Sequence, residues 1–232
     1  MRNQKKQLLY RKLFRKSFYP SHCAEVGVYH PETSNIRDYV KTGVKCTLVE
    51  PDPKSIQLIK EHYSDLSNVE LHEVALFDYN GEIELVQRCA STFVKDLPSS
   101  PSIINDDYKI SDNDKFTVEC KTFDKIDDGS IDLLSVDIEG SEWFVIKHMV
   151  SRPTVISLET HGASYINPYW NEIINWVDSN NYVIWYKTGS DTVFVQNGKI
   201  KITFFDRSLL RFKDFRLHLR KQRKDLLKKL FH

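Results

Sequence analysis

The strongest constraint on the fold lies between residues 130 and 161, where SIDLLSVDIEGSEWFVIKHM is followed by PTVISLETH. Leu133, Leu134, Val136 and Ile138 form a short apolar run that breaks at Asp137, Glu139 and Gly140. A second run, Val155, Ile156 and Leu158, breaks at Glu159 and His161. Short apolar runs separated by a helix-sized segment are the pattern of parallel strands joined by a crossover helix. In open α/β sheets ligands gather outside the carboxyl ends of such strands. Both runs end in acids, the second followed by a histidine. These positions are the expected active site.

The same grammar extends in both directions. Cys23 to Val28 reads as a first strand, running through Gly27-Val28-Tyr29-His30-Pro31 into a helix from about Glu32 to Thr42. Pro31 and Glu32 suit a helix start, and Gly43 a helix end. A tight strand-to-helix turn aims backbone N–H groups at a ligand, and Gly27 lets a ligand approach without a Cβ in the way. Lys45 to Glu50 is a second strand, and Glu50 closes it 25 residues after Glu25. An acid there is placed to accept hydrogen bonds from both hydroxyls of a ribose. Asp52 either assists on the ribose side or caps the helix 53–65 that starts at Pro53.

A third strand is expected at Val69–Ala75, and FDYNGEIEL reads as a hairpin turning at Asn80-Gly81. Residues 89–115 are polar and irregular, and a loop that long suggests a lid or a substrate-binding segment. Residues 116–123 alternate like another strand. Trp170, Ile173, Ile174 and Val177 have helical spacing within 169–180, and 183–187 with 192–195 fit a terminal hairpin. Its turn at Gly189-Ser190-Asp191 puts Asp191 near the end of the sheet.

A chain of 232 residues suits one α/β domain with appendages. No apolar stretch approaches the roughly 18 residues of a membrane span. The basic N-terminus lacks the apolar centre of a signal peptide, so a cytoplasmic location is expected. Cys23, Cys46, Cys89 and Cys120 form no CxxC pair and no zinc spacing. Cys23 and Cys46, both in expected strands, read as buried thiols, in keeping with a reducing compartment.

The net charge of +1 conceals an asymmetry: +7 over residues 1–16, −14 over 17–206 and +8 over 207–232. Residues 1–18 read as a short basic amphipathic helix with Leu9, Leu13 and Phe14 near one face, and 19–205 as the catalytic domain. Residues 206–232 read as a second basic amphipathic helix with Phe212, Phe215, Leu219, Leu226 and Leu230, broken by Arg223. Such tails seek an anionic partner: the acidic body itself, a second subunit, or a membrane surface to which the protein is peripheral. No nucleic-acid recognition motif is present, so contact with nucleic acid would be nonspecific phosphate coverage.

VDIEGSEW followed by ISLETH resembles the FkbM-type S-adenosylmethionine-dependent methyltransferases. AEVGVYHPETSNI, LVEPDP and NVELHEVALFDYNGEIEL match the family in order and spacing, so the resemblance spans roughly residues 23–196. The family usually carries a glycine pair in the first motif; here Gly27 is followed by Pro31. The resemblance implies an α/β fold: a single Rossmann-like class I methyltransferase domain, its mostly parallel sheet closed by the antiparallel hairpin. It implies S-adenosylmethionine as cofactor, with Glu25 near the ammonium group and Gly27 and Tyr29 in the first turn. Ser34 reaches the carboxylate, Glu50 and Asp52 serve the ribose, Ala75 and Leu76 flank the adenine, and Ser91 touches the cofactor from the long loop. The acceptor implied is a hydroxyl of a sugar, glycan or glycolipid.

Methyl transfer to oxygen is an in-line displacement that needs alignment and removal of the hydroxyl proton. Asp137 and His161 follow neighbouring expected strands and are read as projecting into one cleft, Asp137 between cofactor and acceptor and His161 as base. His30 is the reserve. Asp137, Glu139, Glu159, His161 and Asp191 also offer oxygen and imidazole ligands for a divalent metal, a reading not favoured because no compact ligand motif is present. Two rival functions stay open: a non-catalytic scaffold on the same fold, and a dinucleotide-dependent oxidoreductase, against which the missing GxGxxG argues.

Overall fold

The structure, a computed structural model, describes residues 7–88, 91–97, 100–106, 108–162 and 165–231. In chain order, α1 (Leu8–Arg15) leads into β1 (His22–Val26), α2 (Arg37–Val40), β2 (Lys45–Val49), α3 (Pro53–Tyr63) and β3 (Val69–His72). Next come β4 (Ala75–Leu76), β5 (Gly81–Arg88), β6 (Ser91–Val94), α4 (Pro101–Asp106) and β7 (Lys115–Lys121). Then follow β8 (Leu133–Val136), α5 (Glu142–Lys147), β9 (Val155–Glu159), α6 (Trp170–Ser179), β10 (Tyr182–Lys187), β11 (Asp191–Gln196) and α7 (Phe204–Phe231).

Seven strands form the main sheet in the order β3-β2-β1-β8-β9-β11-β10. The pairings among β3, β2, β1, β8 and β9 are parallel, and β11 runs antiparallel to both its neighbours. Strand order reverses between β1 and β8, which opens a crevice at their carboxyl ends. This is the mostly parallel α/β sheet, closed by an antiparallel hairpin, that the family resemblance implies.

The central strands are buried on both faces, so they read as continuous apolar runs rather than alternating ones. The pleat still sorts their side chains by period two. Cys23, Cys46, Leu133 and Val155 face one layer, where α1, α2 and α3 contribute Leu9, Leu13, Val40 and Ile59. Ala24, Val49, Leu134 and Ile156 face the other, where α5 and α6 contribute Val145, Ile146, Ile173 and Val177. Cys23 and Cys46 are free, buried and in register across β1 and β2. Cys89 lies outside the described residues.

A second sheet, β4-β7-β5-β6, covers the rim of the crevice and revises three expectations. The strand expected at 69–75 ends at His72, and Ala75-Leu76 pairs instead with β7 in parallel. Asn80-Gly81 does not make a hairpin between paired strands, because β7 inserts between β4 and β5. The Asn80 side chain accepts from the Thr122 N–H at 3.1 Å, which holds the end of β7 in that slot. Residues 89–115 are not one irregular loop, since β6, α4 and a 3₁₀ turn at Asp112–Asp114 lie within them.

The terminal helices also differ in detail. α1 buries Leu9 and Leu13, but Phe14 is exposed, so the apolar stripe is narrower than expected. Its Lys12 ammonium sits 4.4 Å from the centre of the Tyr186 ring. α7 is one continuous helix with no break at Arg223. The Thr203 hydroxyl accepts from the Asp206 N–H at 3.2 Å while the Asp206 carboxylate accepts from the Thr203 N–H at 2.8 Å, a reciprocal cap. The side chains of Leu226 and Leu230 and residues 1–6 lie outside the described residues. Among the described residues no helix is long and apolar enough to cross a membrane.

Candidate active site

The floor of the crevice is built around Gly27, just past β1. Its φ is +82°, and a Cβ there would meet the Asp137 carbonyl oxygen at 1.9 Å. The Gly27 N–H donates to the Val49 carbonyl and the Asp137 N–H to the Val26 carbonyl, each at 2.9 Å. Only glycine lets the ends of β1, β2 and β8 close on one another like this. The side where a Cβ would stand is thus filled by the protein's own backbone, while Gly27 also lines the cavity.

Glu50, one residue past β2, fixes the loop above it. One carboxylate oxygen accepts from the Val28 and Tyr29 N–H groups at 2.9 and 2.8 Å, the other from the Asp52 N–H at 3.0 Å. These bonds hold Tyr29 at φ +52°, where a side chain other than glycine is rarely stable. Burial pushes the Glu50 pKa up, and the three N–H groups oppose that rise.

Glu25, inside β1, does the equivalent work for the segment after Pro31. Its carboxylate accepts from the Ser34 hydroxyl and from the Asn35 N–H at 2.7 Å. Those groups therefore serve a buried acid rather than a helix, and the helix expected from Glu32 begins only at Arg37. Burial raises the Glu25 pKa to about 7, with Glu50 adding to the rise and the Ser34 and Asn35 bonds opposing it.

Across the crevice the acids face one another. Carboxylate oxygens of Asp137, Glu139 and Glu159 lie within 4.8 Å of each other. Glu139 at φ +57° and Gly140 at φ +115° swing the chain so that both Asp137 and Glu139 line the crevice, with Asp191 beside them. Burial first, then the charges of Glu139, Asp191, Glu142 and Glu25, push the Asp137 pKa well up. Glu159 is pushed up by burial and by Asp137. Glu142 stands apart: it accepts from the Ile138 and Gly140 N–H groups at 3.0 and 3.2 Å and from the Asn167 amide, and so braces the turn.

The cavity so formed measures about 300 Å³. Acids line its base, while Ala75, Leu76, Leu85 and Phe93 supply an apolar wall from the second sheet. Carboxylates suited to an ammonium and a ribose, opposite a surface suited to a flat base, fit S-adenosylmethionine.

The sequence-derived candidates divide by location. Glu25, Gly27, Tyr29, Ser34, Glu50, Ala75, Leu76 and Asp137 line this cavity. His161 does not share it with Asp137. It lines a separate 250 Å³ cavity with Tyr165, Trp170, Lys187 and Asp214. The Thr160 and His161 N–H groups both donate to the Ser190 carbonyl at 3.0 Å, which bends the chain off the strand direction. The His161 Nδ1 lies 2.9 Å from the Thr160 hydroxyl, and burial lowers its pKa. His30 packs edge-on against Tyr29 and borders a shallow hollow with Lys54 and Gln87. Asp52 caps α3, accepting from the Ser55 N–H at 2.9 Å, and also accepts from Gln87. Ser91 pairs with Arg88 at the start of β6, and Thr92, Phe93 and Val94 line the cavity instead. Asn35 and Ser190 escaped the sequence reading, as did Thr92, Phe93 and Val94, because the four residues of STFV are too short to announce a strand.

No curated protein matches the chain by sequence. Among solved structures it resembles a ribosomal protein L11 methylase from Lactobacillus delbrueckii subsp. bulgaricus (TM-score 0.41, 10% identity, 88% of this chain and 80% of that one). It also resembles a precorrin-6y C5,15-methyltransferase from Geobacter metallireducens (TM-score 0.41, 11% identity, 82% of this chain and 87% of that one). A third is an S-adenosylhomocysteine-bound methyltransferase from Podospora anserina (TM-score 0.40, 13% identity, 82% and 76%). These likenesses are distant, and the assignment rests on a match to the Methyltransferase FkbM domain across residues 25–184. The chain belongs to the FkbM methyltransferase family, and its cofactor is S-adenosylmethionine.

Proposed function

We propose that the protein methylates a hydroxyl group on a sugar, glycan or glycolipid. The observation that carries this reading is the pair of acids, Asp137 and Glu139, that line the crevice with the Glu159 carboxylate close behind them. A carboxylate with raised proton affinity that lines the cavity, as Asp137 does, suits the removal of a proton from an acceptor hydroxyl. When bound, S-adenosylmethionine supplies an electrophilic methyl carbon. Glu25 would hold its ammonium group and Glu50 its ribose hydroxyls, while Ala75 and Leu76 would pack on the adenine. Asp137, fixed by its N–H bond to Val26, receives the acceptor proton. His161 and His30 take no part in this scheme. The Asp137, Glu139 and Glu159 oxygens are also spaced as a cation site would be, but crowded acids are common without one, and no step is assigned to a metal.

The test is calorimetric binding of S-adenosylmethionine and S-adenosylhomocysteine to the folded protein, with NAD as control. Both sulfur ligands are expected to bind in the micromolar range, and Glu50→Ala to weaken them about tenfold, or about 1.4 kcal/mol. Failure of both to bind returns the scaffold reading, and tight NAD binding the oxidoreductase one. Transfer of labelled methyl groups to saccharide acceptors then tests the acceptor class. Labelling only of amine acceptors overturns it.

A further inference from the structure

α7 is amphipathic in an unusual sense: its polar contacts point inward and its large apolar side chains point outward. Both of its acids with described side chains are paired to the domain, Asp206 with Lys16 at 2.6 Å and Asp214 with Lys187 at 2.8 Å. Leu217 lies on the same side, facing Trp170 and Thr160 across a cavity. The opposite side carries Phe204, Phe205, Leu209, Phe212, Phe215 and Leu219, all exposed, with Phe204 at 84%. At 3.6 residues per turn these six fall within an arc of about 140°. Arg207, Arg211, Arg216, Arg220 and Arg223 are exposed on and around that arc, and the Arg216 guanidinium lies 5.9 Å from the centre of the Phe212 ring.

We infer that this face of α7 docks on an anionic lipid surface, with the phenylalanines entering the headgroup region and the arginines meeting lipid phosphates. Charge selects this occupant. Pairing the helix acids with Lys16 and Lys187 leaves the outward face almost purely cationic, so a second copy of the same face would bring arginines against arginines. Nucleic acid would satisfy the arginines but leave the row of phenylalanines in water. An anionic interface serves both, because guanidinium stems lie along apolar surface while their heads stay at the phosphates. The inference concerns a surface outside the crevice and does not rest on the identity of the acceptor.

The experiment is flotation of the full chain with vesicles of phosphatidylcholine, and of phosphatidylcholine mixed with phosphatidylglycerol. Binding to the mixed vesicles is expected to be at least about tenfold tighter and to weaken as salt rises. The Phe212→Ser/Phe215→Ser variant is expected to lose at least about tenfold in vesicle affinity while binding S-adenosylmethionine as the parent does. Arg216→Glu/Arg220→Glu is expected to abolish the preference for phosphatidylglycerol. Equal binding to both vesicles overturns the inference, as does undiminished binding by the serine variant. So does light scattering that shows a dimer of the parent turned monomeric by the same two serines, which would make a second copy the occupant.

Discussion

The two walls of the crevice both carry acids, buried in Glu25 and Glu50 and half-buried in Asp137, yet they treat those acids in opposite ways. Glu25 and Glu50 accept backbone N–H groups from the loops they organise. Asp137 and Glu159 face other carboxylates, and their proton affinities climb together. A carboxylate that accepts two or three N–H groups is part of the architecture, and its removal loosens a loop. One that is crowded by its own kind stores unfavourable energy that a proton relieves. The first wall spends its acids on holding loops in place, and the second crowds its acids against one another.

The sharpest way to break this contrast is at the floor both walls share. Gly27→Ala places a Cβ on the Asp137 carbonyl and forces a left-handed φ on alanine. A loss of about 3 kcal/mol or more is expected, with cofactor binding lost alongside, as read by chemical denaturation and calorimetry. Next in size is Asp137→Asn. Turnover is expected to fall about a hundredfold or more with cofactor affinity kept within a factor of about three. The same change removes a crowded charge, so the melting temperature is expected to rise by about 2–4 °C. A variant that keeps full turnover, or melts lower than the parent, would erase the distinction between the walls.

The smallest effect separates Glu25 by titration. Its carboxyl holds a proton up to about pH 7 in the free protein, whereas an ammonium ligand requires the carboxylate. Cofactor affinity is therefore expected to rise with pH by up to about tenfold per unit below 7 and to level off above it. Glu25→Gln should flatten this dependence. For the ligand-free fold the sign is reversed: the folded-state pKa lies above the ordinary 4.5, so this group's contribution to stability declines as pH rises from there through 7. Calorimetry across that window checks both.

Much of this was legible in the sequence, and the rest was hidden for physical reasons. The short apolar runs ending in Glu50, Asp137 and Glu159 announced the strands, their parallel pairing and the end of the sheet where the cavity lies. What periodicity could not show is how a buried side chain recruits backbone. Glu25 takes the Asn35 N–H that a longer helix would have used, so that helix is shorter than its caps suggested. His161 shares its parity along the chain with Glu159, yet two successive N–H groups bonded to one carbonyl turn it into another cavity. Asp52, readable either as cap or as ribose ligand, is the cap. The second sheet was the largest omission, because its pairing of β7 between β4 and β5 depends on contacts some forty residues apart.

The clasp between the two ends of the chain bears on how the molecule is made. Leu9 and Leu13 precede the whole sheet in chain order, and they share a cluster with Trp185, Val193, Val195 and Ile200. Lys16 finds Asp206 only 190 residues later. On a ribosome the opening helix must therefore wait, its apolar stripe uncovered, until almost the whole domain has emerged. Contacts of such long sequence separation slow folding and extend the time in which sticky surface is exposed. Lys12, Arg15 and Lys16 flank that stripe, so the segment that waits is a charged one as well as an apolar one.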